Sequence, residues 1–252
     1  MISTSPKSIS PIKTVDSSSR LQCSVCNRAG SVCICSLLPK EKFNIALDIL
    51  VLQHPNEKKK GLTSSIPLVN LCLNNVHVIR GISFNSNGEV SRSIGEIDEN
   101  NSGWWVVPYN DPVLSRAFTD PAHPPLLLYP GENSVDMEKV AAEFRIQEEA
   151  GVGTRRTLII IDGTWTEAKK IIRRSPSIIS HSRQVKFSAS VESLINPIRR
   201  GNTVSYMSSL EAVAAAIRLL DCTDSASAAS ENMLAVLNEV VNKQLNSWGK
   251  AI

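Results

Sequence analysis

The chain has 252 residues, 42% of them apolar and 20% charged, with a formal net charge of +3. That is the balance of a globular protein with one large domain and room for a small appendage, and it excludes fibrous and broadly disordered classes. No apolar run reaches the roughly 18 residues of a membrane span, and a pI near 8.5 suits a polyanionic partner without requiring one.

Residues 1–20 are rich in Ser and Pro, with Lys7, Lys13 and Arg20 against a lone Asp16 and no hydrophobic block. They read as a disordered tail and not as a secretory signal, although an organellar leader shares this composition. The expected compartment is therefore cytoplasm or nucleus, with organellar targeting left open. Residues 21–40 hold Cys23-x2-Cys26-x6-Cys33-x-Cys35, four thiols in thirteen residues. In a reducing compartment such a cluster points to a closed tetrahedral site, and structural zinc is favoured over iron–sulfur because it needs no redox role. Cys72 and Cys222 stand alone on apolar stretches and read as core residues.

From residue 41 onward strands and helices alternate. A near-continuous apolar run over 45–53 predicts a strand buried on both faces. A helix over 66–73 and a strand over 76–82 follow, then a loop over 85–103 rich in Asn, Ser and Gly, and a short strand over 104–107. A strand is expected over 126–129. The helix after it, over 134–150, is marked by Met137, Val140, Ala141 and Phe144 at helical spacing and stopped by Gly151. The clearest strand, 157–161, runs into Asp162. Thr164 and Glu167 then form a capping box for a helix that ends before Pro176. A second capping box, Ser208 with Glu211, opens a helix with Leu210, Val213, Ala214 and Ile217 on one face, and a last helix covers 231–248. Alternation of this kind predicts an α/β fold with a mainly parallel sheet.

Three strand-to-helix junctions carry suggestive chemistry: Tyr129-Pro130-Gly131-Glu132, Asp162-Gly163-Thr164-Trp165 and Tyr206-Met207-Ser208-Ser209-Leu210-Glu211-Ala212. Ligands of α/β proteins collect where strands end and helix N-termini converge. Asp162 is either a ligand-facing carboxylate or a cap of a neighbouring turn, and Trp165 reads first as packing. There is no Gly-x-Gly-x-x-Gly fingerprint and no P-loop. The four histidines form no hydrolase triad or metal group in sequence.

Taken together these segments resemble the DTW-domain family of tRNA-uridine aminocarboxypropyltransferases. Asp162-Gly163-Thr164-Trp165 matches the family's Asp-x-Thr-Trp core. The cysteine cluster ending in Pro39, Gln53-His54-Pro55-Asn56-Glu57, Tyr129-Pro130-Gly131-Glu132 and Ser208-Ser209-Leu210-Glu211-Ala212 agree in order and spacing. The resemblance covers about residues 21–221. It implies a SPOUT-like α/β domain over 41–252 with a C-terminal knot, behind a small zinc knuckle. It also implies transfer of the 3-amino-3-carboxypropyl group of S-adenosylmethionine to N3 of a tRNA uridine, with 5′-methylthioadenosine released. The donor would sit among Gly131, Glu132, Gly163, Thr164, Trp165, Ser208, Ser209, Leu210, Glu211 and Ala212. Asp162 would be general base or hold the donor, and Arg199, Arg200, Lys58 and Lys59 would meet RNA, with Lys60, Arg173 and Arg174 as weaker candidates. Neither a monomer nor a homodimer is favoured. The alternatives are a SPOUT-type RNA methyltransferase and a non-catalytic zinc-knuckle RNA-binding protein.

Overall fold

A computed structural model describes residues 22–57, 64–89, 111–151, 155–188, 193–198 and 207–249. Six strands form one parallel sheet: β1 (Leu47–Gln53), β2 (Val76–Arg80), β3 (Leu126–Leu128), β4 (Val135–Asp136), β5 (Arg156–Asp162) and β6 (Arg183–Lys186). Their order is β2-β1-β5-β3-β6-β4, so the longest strands, β1 and β5, lie side by side within it. They pair from Leu47↔Arg156 to Gln53↔Asp162 and therefore end together.

Parallel pairing needs crossovers, and helices on both faces supply them. α1 (Ile66–Cys72), α3 (Met137–Glu149), α6 (Ser209–Leu220) and α7 (Asp224–Gly249) cover one face. They pack on Leu47, Ile49, Val51, Leu158 and Ile160. α2 (Pro112–Ala117), α4 (Trp165–Arg174) and α5 (Pro176–Ser180) cover the other, against Leu50, Leu52, Leu127 and Ile159. The alternation of odd and even residues between the two cores follows from the period-2 strand. No helix among the described residues is long and apolar enough to cross a membrane.

The expected mainly parallel α/β architecture is present, with several local differences. The helix expected from 134 starts at Met137, because Val135 and Asp136 are extended and pair with β6. The last helix starts a turn or two earlier than expected, at Asp224, and the Thr223 hydroxyl accepts from the Ala226 amide at its start. β6 was not foreseen: Arg183-Gln184-Val185-Lys186 buries Val185 alone, so the segment carries no strand-like apolar run. α2 was also missed, although Asp111 followed by Pro112 is a helix start and the Asp111 side chain caps the amides of Val113 and Leu114. Cys72 is buried as expected, but Cys222 is exposed: it follows the end of α6 at a turn, outside the apolar face. The strand expected over 104–107 lies outside the described residues. Gly151 ends α3 at φ +76, a left-handed value that favours glycine.

The knuckle docks onto this body. Ile34 is fully buried and shares the core of α1, α3, α6 and α7 with Cys26. Asn232 of α7 donates its side-chain amide to the Leu37 carbonyl at 3.0 Å.

Candidate active site and metal centre

The ends of three neighbouring strands meet the N-termini of two helices. Gln53 closes β1, Asp162 closes β5 and Arg80 closes β2, so sheet register alone brings the three side chains together. The Gln53 amide donates to Asp162 Oδ2 at 2.9 Å, and Arg80 Nε donates to Gln53 Oε1 at 2.7 Å. Ser209, the first residue of α6, donates its hydroxyl to Asp162 Oδ1 at 2.5 Å. Asp162 is 4% exposed, and each of its oxygens accepts a hydrogen bond from a neutral donor. A buried carboxylate held in this way is aimed, with lone pairs left for a ligand.

Both helices are fixed by the caps expected from the sequence. Glu167 Oε2 accepts from the Thr164 amide at 2.7 Å, and the Thr164 hydroxyl accepts from the Glu167 amide. At α6 the Ser208 amide donates to Glu211 Oε2 at 2.7 Å. Glu211 also accepts from the Ser193 hydroxyl and the Leu194 amide. Its carboxylate is thus fully engaged by the protein and ties the 193–198 segment to α6.

Gly163 lies between Asp162 and the first cap. A Cβ there would meet Glu167 Cβ at 3.2 Å and His54 Cβ at 3.3 Å, so a side chain would have to push α4 and the residue after β1 apart by a few tenths of an ångström. The His54 amide donates to the Asp162 carbonyl at 2.9 Å, and its Nδ1 lies 3.2 Å from Glu167 Oε1 and 3.3 Å from the Asn56 amide. A neutral Nδ1 accepts from Asn56, whereas a protonated ring pairs with Glu167. Burial raises the Glu167 carboxyl, but hydrogen bonds from Thr164 and Asn56 and the adjacent His54 outweigh it, and the group sits below its ordinary 4.5. Ser209 donates directly to Asp162, which is not the Ser–His–Asp order of a hydrolase.

Of the residues singled out in the sequence, Asp162, Gly163, Thr164 and the Ser208 to Ala212 turn of α6 come together here. The side chain of Leu210 is core, and its amide donates to the Ser65 hydroxyl at 3.3 Å. Gly131 and exposed Glu132 occupy the next turn across, after β3. Trp165 bridges the two turns: it is 39% exposed and tilted against Tyr129 with ring centres 6.3 Å apart. Packing therefore accounts for part of the Trp165 ring and leaves the rest on the surface. Lys58, Lys59, Lys60, Arg199 and Arg200 lie outside the described residues. Sequence reading assigned no role to Gln53, Arg80, His54 or Asn56. Gln53, His54 and Asn56 were visible in the Gln-His-Pro-Asn segment, whereas Arg80 needed the strand pairing. An open cleft of about 480 Å³ is lined by His54 and Asn56 together with Glu167, Lys169, Lys170 and Arg173 of α4.

At the knuckle all four sulfurs of Cys23, Cys26, Cys33 and Cys35 lie within 4.8 Å of one another. Cys23 and Cys35 are 3.4 Å apart and Cys26 and Cys33 3.7 Å. Zinc–sulfur bonds of about 2.3 Å in a tetrahedron place sulfurs roughly 3.8 Å apart, so the donor set fits zinc. Asn27 at φ 54 turns the chain back after Cys26, a left-handed conformation that Asn tolerates. The Cys26 and Val25 amides draw the Cys23 thiol down to about 6, while the Cys23 sulfur beside it pushes Cys35 up to about 12.

An aimed carboxylate at strand ends, flanked by capped helix N-termini and accompanied by a thiol cluster, marks a parallel α/β protein with a candidate ligand site at the carboxyl edge of its sheet. The profile of the DTW domain matches residues 20–245, and the chain belongs to that family. It is similar to tRNA-uridine aminocarboxypropyltransferase 2 of Drosophila melanogaster, 31% identical over 204 residues, 80% of this chain and 67% of that protein. The protein of the same description from Macaca fascicularis is 29% identical over 202 residues, 80% of this chain and 57% of the relative. tRNA-uridine aminocarboxypropyltransferase A of Arabidopsis thaliana is 23% identical over 169 residues, 65% and 54%. The chain thus spans little more than half the length of the Macaca and Arabidopsis relatives. No solved structure gives a significant match.

Proposed function

We propose that this chain transfers the 3-amino-3-carboxypropyl group of S-adenosylmethionine to N3 of a uridine in tRNA. The observation that carries the reading is Asp162, buried and oriented by Gln53 and Ser209 at the meeting point of two helix N-termini, in a chain of this family. In the reaction a bond forms between uridine N3 and the terminal carbon of the aminocarboxypropyl chain. The bond from that carbon to the sulfonium breaks, its electron pair goes to sulfur, and neutral 5′-methylthioadenosine leaves. The N3 proton passes to Asp162 as general base, a role that suits a positioned carboxylate beside the acceptor. A sulfonium carries three carbons open to displacement, and which one reacts depends on orientation. The α4 and α6 turns supply the walls for that: Gly163 to Trp165 on one side and Ser208 to Ala212 on the other. Glu211 and Glu167 hold those walls through their capping boxes.

Zinc at Cys23, Cys26, Cys33 and Cys35 would be structural, fixing the knuckle against α7. A SPOUT-type knot belongs to the same proposal.

The by-product tests the reaction. Incubating the protein with S-adenosylmethionine and tRNA should release 5′-methylthioadenosine. S-adenosylhomocysteine in its place would make the protein a methyltransferase, and tRNA binding with neither product would leave a binding protein.

A further inference from the structure

α4 leaves the candidate active site with an aromatic head and a basic flank. Trp165, its first residue, is partly exposed beside Tyr129. Lys169 and Arg173 follow one and two turns later, both exposed, and line the cleft together with Lys170, His54 and Asn56. At a rise of about 1.5 Å per residue, Lys169 stands about 6 Å and Arg173 about 12 Å beyond Trp165 along the axis. Among the described residues neither Lys169 nor Arg173 makes an ion pair. Glu167 is the one carboxylate among the described residues of the cleft, and it is occupied by Asn56 and Thr164.

Lys169 and Arg173, lining the cleft without carboxylate partners among the described residues, suit phosphate, and an exposed ring at the head of the same helix suits a nucleobase. An acidic peptide would use the cations but leave the ring, placed next to Asp162, without a purpose. We infer that α4 is the helix on which the acceptor RNA lies. The acceptor base packs against Trp165 while phosphates of neighbouring nucleotides meet Lys169 and Arg173. This inference rests on the reading of the substrate as RNA. A cation in the last turn of a helix also favours its dipole, and that ordinary role would appear in stability and not in salt dependence.

The test uses the full chain and unfractionated tRNA, with the dissociation constant measured over a range of KCl concentrations. In Lys169→Ala/Arg173→Ala the slope of log affinity against log salt should flatten by about 2, one for each phosphate no longer neutralised. Affinity at low salt should fall on the order of tenfold. Lys169→Gln/Arg173→Gln, which keeps the long side chains on the helix, should behave alike with an unchanged melting temperature. The matched control, Lys139→Ala/Arg145→Ala on α3 across the sheet, should keep affinity and slope. Trp165→Ala should weaken tRNA binding, and Trp165→Phe should restore it. Wild-type affinity and slope in both double variants, or an equal loss in the α3 control, would overturn the inference. tRNA binding with this dependence but no aminocarboxypropyl product would leave α4 as the docking helix and remove the reaction proposed above.

Discussion

At the scale of single residues, the site centres on one carboxylate and its holders. Asp162 could be singled out in the sequence because a carboxylate ends the most apolar strand, and Ser209 and Gln53 lie in visible motifs, but that these side chains meet could not be read there. Gln53 sits 109 residues away in the chain and meets Asp162 through strand register, and Arg80 reaches Gln53 in the same way, which no local pattern encodes. Asp162→Asn keeps the shape and can still meet both neighbours, with the Ser209 hydroxyl turning from donor to acceptor. If Asp162 takes the N3 proton, kcat for tRNA modification should fall on the order of a hundredfold or more while the donor KM changes little. A raised donor KM with near-normal kcat would assign Asp162 to holding the donor instead.

At the scale of elements, both capping boxes were legible because Thr164 with Glu167 and Ser208 with Glu211 are local signals, complete within four residues. β6 and α5 were not legible, since tertiary pairing and not propensity decides such short segments. The first cap carries a pH signature. Glu167 has a folded value held below 4.5 by its hydrogen bonds, so its contribution to stability is complete above that pH. It is lost as pH falls through the lower folded value. Glu167→Gln keeps a side chain that can close the capping box, so it should change stability little near neutrality and should flatten the loss of melting temperature in acid. An unchanged acid limb in thermal melts at successive pH values would contradict this account of the cap.

At the scale of the whole molecule, the parallel α/β architecture followed from the alternation of apolar strands and amphipathic helices. The thiol cluster, whose four sulfurs do come together, was legible as a candidate metal site from spacing alone. Its burial against α7 was not, because Ile34 and Leu37 meet α7 across nearly two hundred residues. Since Ile34 belongs to the main core, losing the metal should weaken the fold well beyond the knuckle. Chelation should lower the melting temperature by on the order of 10 °C, given a few kcal/mol of lost folding energy in a protein of this size. Zinc, but not magnesium, should restore it. Acidification should ease metal loss, because protons compete for the four sulfurs. The central claim joins this scaffold to a reaction on RNA, and mass spectrometry of nucleosides reads that reaction directly. Bulk tRNA incubated with the protein and S-adenosylmethionine should yield a uridine heavier by one aminocarboxypropyl group, and Asp162→Asn should largely abolish it. A uridine heavier by a methyl group, or no change in any nucleoside while tRNA still binds, would contradict the account.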